Sequence, residues 1–496
     1  MNIRDAKTEV IHTIRAYTVQ NKWGGYAIPA LRQRPLLLIG PPGIGKTAIM
    51  EQAAAECGIG FVSYTMTHHT RQSAIGLPFI ERTTFHDQEY AVTQYTMSEI
   101  IASVFQCIEE SGCKEGLLFL DEINCVSETL APTMLQFLQN KTFGTHRLPD
   151  GWILAAAGNP PEYNKSVREF DIATLDRLKY IEVEADYEAW RSYALEKNLH
   201  TAILSYLDAH RDRFYLLKQT YTETAFVTAR GWEDLSCLLD QYELLGFPVT
   251  AELIAQYLHS EELAADFAGY YQFFMTRKKE LPLTAMMQGD QKAFTICQEL
   301  FTNASFDEKL NLTYLMLSAI GNDLQEWKEA SDQILCLQNL FEKWQRFLKQ
   351  QKLTQASPSA VSEFLKKEQD ILRIRKEHGL SSDHELEEMQ HGLYELRTLL
   401  YQEQQEQFPS CYEAQLSASA GQLSLHLENS IRLLSKDTGP AYTLFLSSLE
   451  QNRNLQLFLR KYPSTLWESA RKQLAFQTRE EKLRQQLLSS DSQTVV

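Results

Sequence analysis

"LLLIGPPGIGKTAIM", Leu36 to Met50, is the stretch whose reading decides the fold. Four apolar residues stop abruptly at a turn holding three glycines and two prolines, and a lysine and a threonine follow. Leu36–Ile39 reads as a short strand buried on both faces. Gly43 and Gly45 can take backbone angles that a side chain forbids, so the loop can turn its N–H groups inward around an anion. A helix starting at about Lys46 would add the partial positive charge of its N-terminus. The spacing is G-x-x-x-x-G-K-[ST], carried by Gly40, Gly45, Lys46 and Thr47. The expected phosphate cradle is Gly40, Pro41, Pro42, Gly43, Ile44, Gly45, Lys46, Thr47 and Ala48. Lys46 would reach the β- and γ-phosphates and Thr47 would hold Mg2+. The bland reading is a Gly-Pro turn, but the motif sits between a strand and a helix, the context phosphate binding needs.

Two further strand tips carry polar residues. "LLFLDEIN" (Leu117–Asn124) ends a buried strand in Asp121 and Glu122. Buried carboxylates are expensive unless they meet a cation or a proton donor. Asp121 would face the Mg2+ held by Thr47, and Glu122 would activate or orient an attacking water. A surface turn after a strand is the alternative; the phosphate loop upstream argues for the paired metal site. "WILAAAGNPPEYN" places Asn159 at the tip of another buried strand. An amide there can donate to the γ-phosphate and accept from a water, although a turn asparagine before Pro160 is common.

Short apolar runs alternate with helical segments over residues 1–185. The candidate strands are "LLLIG", "FVSYT" (Phe61–Thr65), "LLFL" (Leu117–Leu120), "WILAAAG" (Trp152–Gly158) and "YIEV" (Tyr180–Val183). Helices between them predict a parallel α/β sheet sandwiched by helices. From 186 to 275 the strand signal stops, and "YEAWRSYALEKN" and "GWEDLSCLLDQYELLG" have helical spacing, so a small helical domain is expected. The aromatics of "FAGYYQFFM" (Phe267–Met275) read as its core. Residues 276–496 are also helical in pattern. Leu386, Met389, Leu393, Leu396 and Leu400 follow an a/d spacing, which fits either a coiled-coil seam or one stripe of a helical bundle. Breaks are expected in "LTQASPSAVSEF" (Leu353–Phe364) and "HGLSSDHE" (His378–Glu385), and disorder in the tail "SSDSQTVV".

Composition narrows the function classes. The chain has 496 residues, enough for two or three domains. Its formal net charge of −16 would repel a phosphate backbone, which argues against non-specific nucleic-acid binding. No apolar run approaches the ~20 residues that span a bilayer. "MNIRDAKTEVIHTIRAY" has mixed charges and no apolar h-region, so no secretory signal is expected. The eight cysteines form no C-x-x-C pair, which suggests neither a zinc cage nor a disulfide framework and points to a reducing cytoplasm. His68 and His69 have no third ligand spaced to join them in a metal site. His384-Glu385 lacks the H-E-x-x-H spacing, and no G-x-S-x-G elbow occurs.

Together these motifs resemble the AAA+ ATPases, particularly the MoxR-type branch. "GPPGIGKT" looks like Walker A, "LLFLDEIN" like Walker B with its catalytic glutamate, and Asn159 of "AAAGNPP" like sensor 1. "ATLDRLKYIEV" resembles the segment that carries the arginine finger, which would be Arg177; Leu178 stands where the family has phenylalanine. Arg168 in "SVREFD" is a second candidate finger. "FVTARGWEDLS" resembles the lid segment that places Arg230 as sensor 2, acting in its own subunit or across the boundary. "IGLPFIERTTFHDQEYAVTQYTMSEI" looks like the helix-2 insertion and "KTFGTHRLPDGW" like the hairpin before sensor 1. The resemblance covers residues 1–275 and leaves the region after 276 unmatched.

The resemblance implies an α/β nucleotide-binding domain over 1–185, a helical lid over 186–275 and a helical extension over 276–496. It also implies ATP and Mg2+ as cofactors, a homo-hexameric ring, and remodelling of a partner protein containing a von Willebrand factor A domain. Two rivals stand beside it. One is a nucleic-acid motor, which the acidic balance opposes. The other is an ATP-gated scaffold with little hydrolysis, which the set Glu122, Asn159 and Arg177 opposes.

Overall fold

The five apolar runs become the strands of one parallel sheet. The computed structural model describes residues 1–68, 71–86, 88–143, 146–163, 167–168, 170–219, 224–351, 357–377, 383–401, 410–436 and 439–475. In chain order the strands of the first 186 residues are β1 (Leu36–Ile39), β2 (Gly60–Thr65), β3 (Pro78–Phe85), β4 (Gln88–Tyr95), β5 (Gly116–Asp121), β6 (Thr142–Phe143), β7 (His146–Arg147), β8 (Trp152–Gly158) and β9 (Lys179–Glu182). The sheet runs β2-β5-β8-β1-β9 with every pair parallel. The remaining strands form two antiparallel hairpins, β3–β4 and β6–β7, which fall in the two expected insertions.

Burial explains the sequence pattern. All seven residues of β8 are buried, as are the first five of β5 and the first three of β1. Strands covered on both faces need apolar residues at every position, hence continuous runs in place of alternation. The helices of this region are α1 (Ile3–Thr18), α2 (Lys46–Cys57), α3 (Arg71–Ile75), α4 (Glu99–Ser111), α5 (Ala131–Asn140) and α6 (Ile172–Leu175). On one face of the sheet Leu37, Leu118, Leu120 and Leu154 join a cluster with Ile101, Val104, Phe137 and Phe143. The rings of Phe137 and Phe143 stack with centroids 3.8 Å apart. This core sets β1, β8 and β5 side by side, so the segments leaving their carboxyl ends meet.

The chain divides into two compact units: residues 1–186 with 339–402, and residues 187–338 with 403–496. The second contains α7 (Tyr187–Glu196), α8 (Thr201–Ala209), a hairpin of β10 (Leu216–Gln219) and β11 (Thr224–Val227), α9 (Ala229–Leu245), α10 (Ala251–Leu258), α11 (Glu261–Glu280), α12 (Leu283–Met287), α13 (Gln291–Asn303) and most of α14 (Phe306–Gln350). The first unit takes in α15 (Pro358–Glu377) and α16 (Asp383–Tyr401); α17 (Ser410–Leu434), α18 (Pro440–Gln451) and α19 (Arg453–Lys461) belong to the second. The β10–β11 hairpin breaks the expectation that strands end at 186. Its strands are four residues long and place apolar Leu217 and Phe226 on exposed positions, so no clean alternation of apolar and polar residues appears.

Leu386, Leu393, Leu396 and Leu400 of the heptad stripe are buried, and α16 packs on α15 of the same chain. Phe267, Tyr271 and Phe274 are buried within the second unit. Among the described residues no helix is long and apolar enough to cross a membrane, and the described cysteines are free thiols. The tail "SSDSQTVV" lies outside the described residues, as do 352–356 and 378–382 in the two expected breaks.

Candidate nucleotide site

The loop between β1 and α2 turns on glycine. Gly45 has φ of 91° and Gly43 φ of 73°, left-handed angles that a side chain resists. Gly45 is the N-cap of α2 and offers no capping side chain, so the first N–H groups of the helix have no partner from that residue. Beneath the loop, Lys46 is buried and its ammonium is held by oxygens. Nζ donates to the carbonyls of Gly40 and Pro41, both at 2.8 Å, and to Asn159 Oδ1 at 2.9 Å. Thr47 Oγ1 donates to Asp121 Oδ2 at 2.6 Å. The tips of β1, β5 and β8 therefore supply one constellation of Lys46, Thr47, Asp121 and Asn159.

Glu122 completes it under strain. Its φ and ψ are 54° and 37°, a left-handed conformation uncommon for a residue with a β-carbon. The turn is fixed from both sides. Its N–H donates to Asp121 Oδ1 at 2.9 Å, and its carbonyl accepts the Cys125 N–H at 3.0 Å. Thr67, two residues past the end of β2, donates its hydroxyl to Glu122 Oε2 at 2.9 Å.

Residues 36–175 match the model of AAA, the "ATPase family associated with various cellular activities". The likeness to that family lies in this segment. The matched span includes the phosphate-loop residues and the three strand tips just described. Among solved structures, the chain is similar to a protein from Cytophaga hutchinsonii ATCC 33406 described as a "putative ATPase". Identity is 16%, the match covers 37% of this chain and 52% of that one, and the TM-score is 0.22. The likeness thus spans about half the length of that relative. No curated protein matches the chain.

The three candidate arginines occupy different segments of the chain. Arg177 is exposed, two residues before β9, whose Lys179 pairs in register with Leu36 at the start of β1. It therefore sits at the end of the sheet opposite to the Gly40–Thr47 loop of its own chain. The preceding turn is braced by Asp171, which accepts the Thr174 N–H at 2.7 Å. The Thr174 hydrogen bonds, with a smaller contribution from Arg177, hold the Asp171 carboxyl below its usual range. Arg168 donates its N–H to the Asn124 carbonyl at 2.9 Å, and its guanidinium pairs with Glu128 at 2.7 Å on the surface. Arg230 belongs to the second unit, exposed in the first turn of α9, where Thr228 Oγ1 accepts the Gly231 N–H at 3.2 Å. His69 and the side chain of His68 lie outside the described residues, as do Gly144 and Thr145 of the hairpin before β8.

Two residues at the site have no place in the sequence reading, Thr67 and Asn124. Thr67 could have been suspected, because it ends the run "FVSYTMT" on the strand that neighbours β5. Asn124 stands in plain view, two residues after Glu122. Asn124 Nδ2 donates to the Asn159 carbonyl at 2.7 Å, a bond between residues 35 apart that no local pattern announces.

Proposed function

We propose that this chain binds Mg2+-ATP on the loop Gly40–Ala48 and hydrolyses it. The observation that carries the reading is the convergence of Lys46, Thr47, Asp121, Glu122 and Asn159 at three neighbouring strand tips. The donor set fits the ligand. Lys46 is already solvated by three oxygens, and phosphate oxygens would replace neutral carbonyls with charged acceptors, which make the stronger bonds. Thr47 and Asp121, a hydroxyl and a carboxylate within 2.6 Å, are the hard oxygen ligands that Mg2+ prefers. Bound there, Mg2+ supplies positive charge to the β- and γ-phosphate oxygens.

The chain's own groups do the rest. Glu122 takes the proton of a water whose oxygen attacks the γ-phosphorus, and the bond to the β–γ bridging oxygen breaks. Thr67 holds Glu122 in the resting arrangement, so the carboxylate must exchange that donor for water before it acts. Asn159 would lie against the γ-phosphate once Lys46 turns to the nucleotide. Arg177 acts on the site of a neighbouring subunit, where a guanidinium at the spreading charge is worth on the order of 10³–10⁵ in rate. Arg230 serves as the lid's sensor. The assembly is a homo-hexameric ring, and hydrolysis remodels or activates a partner protein with a von Willebrand factor A domain; both follow from the MoxR-type resemblance.

Glu122→Gln tests the core of this reading. The amide keeps the shape but cannot accept the proton, so the variant should bind ATP and fail to turn it over in a single-turnover assay. Hydrolysis at the wild-type rate would remove Glu122 from the mechanism.

A further inference from the structure

Asn124 is buried at the heart of the site, and the chemistry above leaves it without a task. It lies in the short 3-10 turn Ile123–Cys125 that follows Glu122. A turn asparagine commonly bonds its own turn. Here the side-chain donor crosses to the main-chain carbonyl of Asn159 at 2.7 Å, while the Asn124 main-chain carbonyl accepts the Arg168 N–H at 2.9 Å. One residue thus ties three segments together: the Glu122 turn, the tip of β8 and the stretch that carries Arg168.

The packing is matched to this bond. A β-carbon placed on Gly158 would stand 2.9 Å from Asn124 Nδ2 and closer still to Cγ and Oδ1. Real β-carbons essentially never approach that near, so glycine at 158 is the condition for the carboxamide at 124. An apolar side chain could fill the same room. Only an amide fills it and also satisfies the carbonyl of the residue whose side chain holds Lys46.

We propose that Asn124 is a positioning residue for hydrolysis: it locks the backbone of Asn159, and with it the carboxamide facing the phosphate loop, to the turn that aims Glu122. This rests on the ATP-hydrolysis reading. Without the lock, the two groups on either side of the γ-phosphate are free to shift relative to each other. A misplacement of about 1 Å costs on the order of 10²-fold in rate, whereas binding through the loop N–H groups and Lys46 does not depend on it.

Two variants of the full chain separate positioning from packing. Asn124→Leu keeps the volume and removes the donor. Asn124→Ala combined with Gly158→Ala moves the lost volume to the other side of the contact and also removes the donor. Both should fold, bind a fluorescent ATP analogue within about threefold of wild type, and lose at least about tenfold in kcat. A folded variant of either kind turning over within about twofold of wild type overturns the proposal. Failure of both to fold overturns it as well, because Asn124 would then be a structural part. Lys46→Ala, measured alongside, keeps the two readings distinct. If Lys46→Ala turns over ATP like wild type, or wild type has no turnover, the nucleotide assignment itself has failed.

Discussion

Lys141 closes α5 with a left-handed residue and then buries its side chain, which is only 3% exposed. Its ammonium reaches one distant partner, Gln33 Oε1 at 3.4 Å, and that glutamine spends its own amide on the carbonyls of Tyr17 and Ile28. Burial first, and the nearby charge of Arg147 second, lower the Lys141 pKa from 10.5 to about 8, with Asp150 opposing. A depressed lysine pKa means that the fold prefers the neutral amine. The unfolded chain holds the proton up to its ordinary pKa, so stability rises with pH between about 8 and 10.5 and the full penalty is present below 8. Lys141→Met should therefore stabilise the first unit at pH 7 by about 2–3 kcal/mol, with the gain vanishing above pH 10. Urea melts of both proteins at pH 7 and pH 10 measure it; an equal gain at both pH values would show that the charge is not the cause. Nothing in "LQNKTFGTHR" announces this lysine as buried. Thr67 and Asn124 were hidden for the same reason: their partners Glu122 and Asn159 lie 55 and 35 residues away, and only the sheet order brings them together.

Elements were most legible where both faces are covered. The runs "LLFL" and "WILAAAG" could hardly be anything but central strands, and the polar residues at their tips marked the site. Short strands with apolar residues on their exposed positions left weaker traces, as Leu217 of β10 and Phe226 of β11 show. Helix α7 illustrates a third case, a helix legible as such whose function in the fold is not. Arg191 would pass for a surface residue of "YEAWRSYALEKN", yet it is buried and reads across the second unit. Its Nε meets both Asp208 oxygens, at 3.0 and 3.1 Å, on α8. Nη2 donates to Tyr314 of α14 at 3.1 Å and to Ser448 of α18 at 2.9 Å. Tyr187 donates to Asp208 at 2.7 Å, and burial together with that carboxylate raises its pKa, which keeps it a donor. The pair thus joins the first helix of the unit to helices more than a hundred and more than two hundred residues later. Removing one partner of a buried ion pair strands the other. Arg191→Met should cost about 3–5 kcal/mol, and Arg191→Met with Asp208→Leu distinctly less. Chemical denaturation of the single and double variants checks the order; a double variant as unstable as the single would mean that the stranded charge is not what matters.

At the scale of the whole molecule the question is what one chain lacks. Lys46, Thr47, Asp121, Glu122 and Asn159 gather at the carboxyl ends of β1, β5 and β8. Arg177 stands before β9, at the other end of the same sheet, exposed and unable to reach them without unravelling the strand that follows it. Under the proposed ring, Arg177 serves the site of a second copy. The proposed ring then makes a sharp prediction. Arg177→Ala subunits keep an intact phosphate site but cannot serve a neighbour, whereas Lys46→Ala subunits lack the site but keep the arginine. Each should be nearly inactive alone. Mixed in equal amounts, with subunits allowed to exchange, about a quarter of interfaces would pair an intact site with an intact arginine in a closed cyclic ring. ATPase rate plotted against mixing ratio should rise from both ends to a maximum near equal proportions. Exchange is confirmed separately, by energy transfer between differently labelled subunits. If exchange occurs and every mixture stays at background, Arg177 does not act across the boundary. Arg168, bound through its backbone to the Glu122 turn, then becomes the arginine to replace.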